Sequence, residues 1–156
     1  MQADPVTLTV SKSALAAAAD EIFAVLKRTA TSPIICEVLD CGTGITDAEG
    51  RVASWGAGIP TFVGALDKAV MHIFARHRRT IRDGDLFLIN DPYDGWVTHL
   101  NDMVVALPVF HECALVTWAA SSAHYSDVGG LVPGWMAVDA DRDLGLRAAH
   151  PRYPPV

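Results

Sequence analysis

Met103-Val104-Val105-Ala106-Leu107-Pro108-Val109-Phe110, then His111-Glu112-Cys113, then Ala114-Leu115-Val116-Thr117-Trp118-Ala119-Ala120 reads as two strands joined by a turn. Just upstream, Asp83-Gly84-Asp85 is a turn, and residues 86–89 form a short continuous apolar run, the pattern of a buried strand. Residues 90–102 between these pieces are polar and glycine-containing, and a second polar stretch covers residues 121–130. Residues 62–78 predict a helix with Leu66, Ala69, Val70, Ile73 and Phe74 on its buried side. Its basic end, Arg76 to Arg79, complements the helix dipole. Residues 56–60 form a loop. Residues 34–46 read as extended, Asp47-Ala48-Glu49-Gly50 as a turn and residues 51–55 as a returning strand. Ser11 or Ser13 would cap a first helix reaching about Thr29. Its stripe of Leu15, Ala18, Ile22, Val25 and Leu26 would face the core or a partner. The sum is an α+β (mixed α/β) fold: an N-terminal helix, a β-hairpin, a second helix, then several strands with the site on connecting loops.

Composition narrows the function. A chain of 156 residues suits one domain that buries roughly two thirds of its unfolded surface. A net charge of −6 disfavours nucleic acid and anionic lipid as partners. No apolar run approaches the ~18 residues of a membrane span, and Met1-Gln2-Ala3-Asp4-Pro5 is not a secretory signal. Cys36, Cys41 and Cys113 are odd in number and form no CxxC. They are expected as free thiols in a reducing cytoplasm, with a Cys36/Cys41 metal pair as the weaker alternative. Neither a Walker-type loop nor a G-x-S-x-G elbow occurs.

The residues able to carry chemistry gather where strands end. H-x-x-D occurs twice, at His99/Asp102 and His124/Asp127. On a helical turn or tight loop, residues i and i+3 point the same way. Two imidazoles and a carboxylate suit a Mn, Fe or Zn ion and leave positions open for water or substrate. With six histidines and fourteen aspartates, roughly half of one such spacing is expected by chance, so the alternative of loop histidines held by nearby carboxylates stands beside the metal. Glu37 is a lone acid in the apolar stretch 33–39. It must pair, meet a metal or face solvent. Asp91 and Asp94 either bind a metal or hold the turn after the strand.

Several stretches in fixed order resemble the hydantoinase B/5-oxoprolinase family. They are Ser32-Pro33-Ile34-Ile35 with Glu37 and Leu39-Asp40; Asp47-Ala48-Glu49-Gly50-Arg51; and Asn90-Asp91-Pro92-Tyr93. Thr98-His99-Leu100 with Asp102, Pro108-Val109-Phe110, Ala123-His124 with Asp127-Val128-Gly129-Gly130, and Pro133-Gly134 follow. The resemblance spans residues 8–140 and takes in N-methylhydantoinase beta subunits, part of 5-oxoprolinase, and acetone and acetophenone carboxylase subunits. It implies one divalent metal (Mn, Zn or Fe) held by His99, Asp102 and His124, with Glu37 as a fourth ligand. It implies that Asp127 orients a ligand or its loop from outside the coordination sphere. It also implies a hydantoinase A-type partner subunit that handles ATP and activates the amide oxygen. The implied reaction is hydrolysis of a cyclic amide (hydantoin, 5-oxoproline or lactam). The alternatives are carboxylation of a ketone, as in acetone carboxylase, and a non-catalytic remnant or interaction module.

Two departures from the family pattern stand out. Trp96 and Val97 occupy positions where small residues are common. Residues 1–140 read as the front part of a hydantoinase B-like domain, whereas residues 141–156 read as an irregular tail. Codons for the family's expected Thr-Glu-Ile-Trp, shifted by one base, can encode Arg142-Asp143-Leu144-Gly145, so the tail is expected to be non-native through a frameshift near Asp141.

Overall fold

The computed structural model of the protein describes residues 4–129; the expected tail at 141–156 lies outside them. The first helix, α1 (Pro5–Thr29), starts earlier than the serines suggest. Asp4 caps it, accepting hydrogen bonds from the backbone N–H groups of Val6 and Thr7, and Pro5 takes the first turn, where its missing N–H is harmless. Ser32-Pro33 does more than end α1. It opens a one-turn helix, α2 (Pro33–Cys36), in the stretch expected to be extended. Ile35 and Cys36 donate to the Ser32 carbonyl, and proline again supplies the starting φ. Leu39 then takes a left-handed φ of 63°, and the chain becomes extended only at β1 (Cys41–Asp47).

β1 returns through the turn at residues 47–50 into β2 (Val52–Gly58), longer than the sequence pattern indicates. Asp47 Oδ1 accepts from the N–H groups of Glu49 and Arg51, and Gly50 supplies the φ of 96° that the turn needs. Next comes α3 (Pro60–His77), burying Phe62, Leu66, Ala69, Val70 and Ile73. β3 (Phe87–Ile89) is a short edge strand rather than the buried strand expected, because Leu86 and Leu88 project into solvent. β4 (Asp102–His111) and β5 (Ala114–His124) complete the described elements. Glu112 and Cys113 have φ of 47° and 65°, so the connection is the two-residue turn whose twist suits a hairpin.

The described strands form one antiparallel sheet in the order β2-β1-β5-β4-β3. β5 runs four residues further than its apolar stretch because it is interior. Ser121 to Ala123 pair with β1 on one side and β4 on the other, so small polar residues there are ladder positions and not a loop.

A helix lies on each face. α3 packs Leu66, Ala69, Val70 and Ile73 onto Val104, Ala106, Trp118 and Ala120. α1 crosses the opposite face over β1 and β2, where Thr43 Oγ1 donates to the Ala19 carbonyl at 3.1 Å. Residues 41–46 are therefore buried on both sides, and the alternation expected of a half-exposed strand is absent. The close approach of α1 depends on Gly56. A Cβ there would lie 2.4 Å from the Ala19 carbonyl oxygen and 2.5 Å from Thr43 Oγ1. Gly56→Ala should therefore push α1 off the sheet and destabilise the fold by about 1–3 kcal/mol, read as a lower urea midpoint.

Candidate metal centre

Asp102 opens β4 and His124 closes β5, and the register sets them directly opposite each other. Partners in such a pair share a sheet face, here the one covered by α3. The carboxylate is almost completely buried, at 1% exposure, and His124 nearly so at 7%. His124 Nδ1 lies 2.7 Å from Asp102 Oδ1. His99 approaches from the preceding turn, with Nδ1 2.9 Å from Asp102 Oδ2. The same Oδ2 accepts from the His99 backbone N–H at 3.0 Å and from the Thr98 hydroxyl. Asp102 thus holds its own approach loop while facing both imidazoles. The two rings stand nearly perpendicular, at 81°, with centroids 6.2 Å apart.

These three residues offer ligand atoms that all lie within 4.8 Å of one another. Two imidazole nitrogens and a carboxylate oxygen form the donor set that Zn, Mn or Fe accepts with coordination positions to spare, so the residues present fit such an ion. They line a cleft of about 380 Å³ walled by Asp40, Ile59, Thr61, Phe62 and Thr98. His99 stands half exposed, while Asp102 and His124 are buried. Two of the three are thus placed by strands, and only His99 by a loop.

The other candidates lie elsewhere. Glu37 is the exposed C-cap of α2 and lies outside the three-residue cluster and the cleft wall. Asp127 is exposed; its carboxylate accepts from the Gly129 N–H in the turn after β5. Asp91 caps its own turn through the N–H groups of Tyr93 and Asp94. The Cys41 thiol is pushed upward in pKa by burial and then by the neighbouring Asp40. A thiol that resists ionisation is a poor metal ligand, which disfavours the Cys36/Cys41 pair.

Two neighbours of the cluster, Thr98 and Asp40, lie in the family-like stretches but carried no expected role. A hydroxyl four residues before a buried carboxylate was the available signal for Thr98. Asp40 lines the cleft directly after the left-handed Leu39, a backbone conformation that no local pattern announces.

The fold and the three clustered side chains define a sheet-borne candidate metal centre. Comparison with known proteins gives its family. A model described as Hydantoinase B/oxoprolinase matches residues 4–143, and the chain belongs to that family. It is 32% identical over 154 residues to the caprolactamase subunit beta of Pseudomonas jessenii, covering 98% of this chain and 26% of that protein. It is 31% identical over 133 residues to a 5-oxoprolinase of Dictyostelium discoideum, covering 85% of this chain and 10% of that one. Among solved structures, a nucleotide-free acetone carboxylase superposes with a TM-score of 0.75 at 25% identity, over 84% of this chain and 17% of the other. The chain thus spans about a quarter of the caprolactamase subunit and a tenth of the 5-oxoprolinase.

Proposed function

We propose that this chain carries the metal-binding part of a B-type subunit that hydrolyses an activated cyclic amide such as a hydantoin, 5-oxoproline or lactam. The observation that carries the reading is the buried Asp102 carboxylate facing the imidazoles of His99 and His124 at one end of an open cleft. A divalent ion held by these three would supply Lewis acidity toward a carbonyl and a more acidic bound water. The chain's own residues set the stage. Thr98 and the His99 N–H fix one carboxylate oxygen, so the Asp102 side chain cannot rotate away. His124 is fixed by the strand ladder and by its N–H, which donates to the Asp40 carbonyl at 3.0 Å. Ile59 and Phe62 give the cleft an apolar wall suited to a ring. Glu37, as a fourth ligand, would have to swing from the end of α2 toward the cleft. Asp127 serves to hold the turn that follows His124.

The amide must be activated elsewhere. We place ATP on a hydantoinase A-type partner subunit, because the sequence offers no phosphate-binding loop of its own. Two relatives of known structure support this: the caprolactamase of Pseudomonas jessenii is ATP-dependent, and so is the acetone carboxylation of the other. The likeness to acetone carboxylase supports a second reading, carboxylation of a ketone at the same site. No helix among the described residues is long and apolar enough to cross a membrane, and we place the subunit in the cytoplasm.

Metal analysis of the purified chain tests the proposal. About one Mn, Zn or Fe per chain is expected, falling at least tenfold in His99→Ala. Metal content near zero after growth with each ion, or content unchanged in His99→Ala, would reject it. Co-purification with the ATP-dependent subunit and product analysis on a lactam with and without bicarbonate then separate hydrolysis from carboxylation.

A further inference from the structure

Asn101 sits beside the cluster, fully buried, between His99 and Asp102 in the chain. Its backbone carbonyl accepts from the Met103 N–H at 3.1 Å, and two further hydrogen bonds join the residue to Tyr125. Its backbone carbonyl accepts from the Tyr125 N–H at 2.9 Å, and its side-chain Nδ2 donates to the Tyr125 carbonyl at 2.6 Å. Residues 101 and 125 each lie one position beyond the last ladder pair, Asp102 and His124. Strand ends fray unless something ties them. Here a two-pronged clamp closes the ladder on the outer side of the pair.

The other end of the amide shows what the residue is for. Asn101 Oδ1 is buried without a hydrogen-bond partner among the described residues. Because Nδ2 faces a carbonyl, the amide cannot be flipped to relieve this. An orphan buried acceptor is destabilising, and a leucine, which has the same branched outline, would avoid it. Packing alone therefore does not favour asparagine here; what asparagine adds is the donor to Tyr125.

We propose that Asn101 is a positioning residue for the candidate metal centre, its amide clamp on Tyr125 holding His124 Nδ1 against Asp102 Oδ1. Its functional meaning rests on the metal reading above; the geometry does not.

The test compares wild type with Asn101→Leu, and with Asn101→Ser in case the leucine variant does not fold. Two imino protons are followed by NMR in metal-free protein: the His124 Nδ1–H, and the indole Nε1–H of Trp118, which donates to the Ala48 carbonyl well away from the clamp. The expected result is an unchanged Trp118 signal, with the His124 proton exchanging at least tenfold faster, and zinc binding weakened roughly 10–100-fold. A His124 proton equally protected in a variant that keeps the Trp118 signal would overturn the proposal. Faster His124 exchange in a protein whose wild type binds no zinc would uphold the clamp and reject the metal reading.

Discussion

Asp102→Ala is expected to abolish metal binding and to destabilise the fold on the order of 3 kcal/mol. Both effects follow from one carboxylate. Oδ2 accepts from the Thr98 hydroxyl and the His99 N–H, and each oxygen meets one imidazole. Removal takes the carboxylate partner from the Thr98 hydroxyl and the buried His124 imidazole at a site where Asp102 itself is 99% covered, and buried donors without partners are costly. Asp102→Asn separates the two effects. The amide oxygen keeps part of the hydrogen bonding, so most stability should survive, while the loss of the anionic ligand still removes the metal. Urea unfolding and zinc titration on both variants check this. An alanine variant that binds zinc like wild type would show that the carboxylate is only a loop anchor.

Trp118→Ala is expected to be the most damaging core change, at about 3–5 kcal/mol. Trp118 is completely buried under α3, stands edge-on to Phe87 at 5.6 Å between centroids, and donates its indole N–H to Ala48 at 3.1 Å. It thus ties β5 to the β1–β2 turn and to the edge strand at once. Small domains have only about 5–15 kcal/mol in total, so the variant should be largely unfolded near physiological temperature. Trp118→Phe, which keeps most of the volume and loses the hydrogen bond, should cost about 1–2 kcal/mol. Circular dichroism melting curves would show the order wild type, phenylalanine, alanine; equal melting of wild type and alanine variant would contradict the packing described.

What could be read from the chain was local. The apolar period of α3 and the paired runs of β4 and β5 are strong signals because each buries one face against the other. What could not be read was set by distant partners. β1 is covered on both faces, so its residues carry no alternation. Ser121 to Ala123 look like loop residues until β1 and β4 flank them. The short helix α2 hides in an apolar run that propensity assigns to a strand; Pro33, which suits a helix's first turn, was the clue. For the site, the i, i+3 spacing of His99 and Asp102 was visible. Their meeting with His124 came from the family resemblance and not from local pattern, because the register Asp102–His124 is fixed by a left-handed turn at Glu112-Cys113 and an irregularity after Val109. For Glu37 the motif suggests a ligand, and the backbone places it at the exposed end of α2.

X-ray absorption at the metal edge of the zinc- or manganese-loaded chain addresses the site most directly. A first shell with two imidazoles and one carboxylate oxygen, losing one imidazole in His124→Ala, is the predicted result. A shell of oxygen donors only, or one that is identical in His124→Ala, would contradict it.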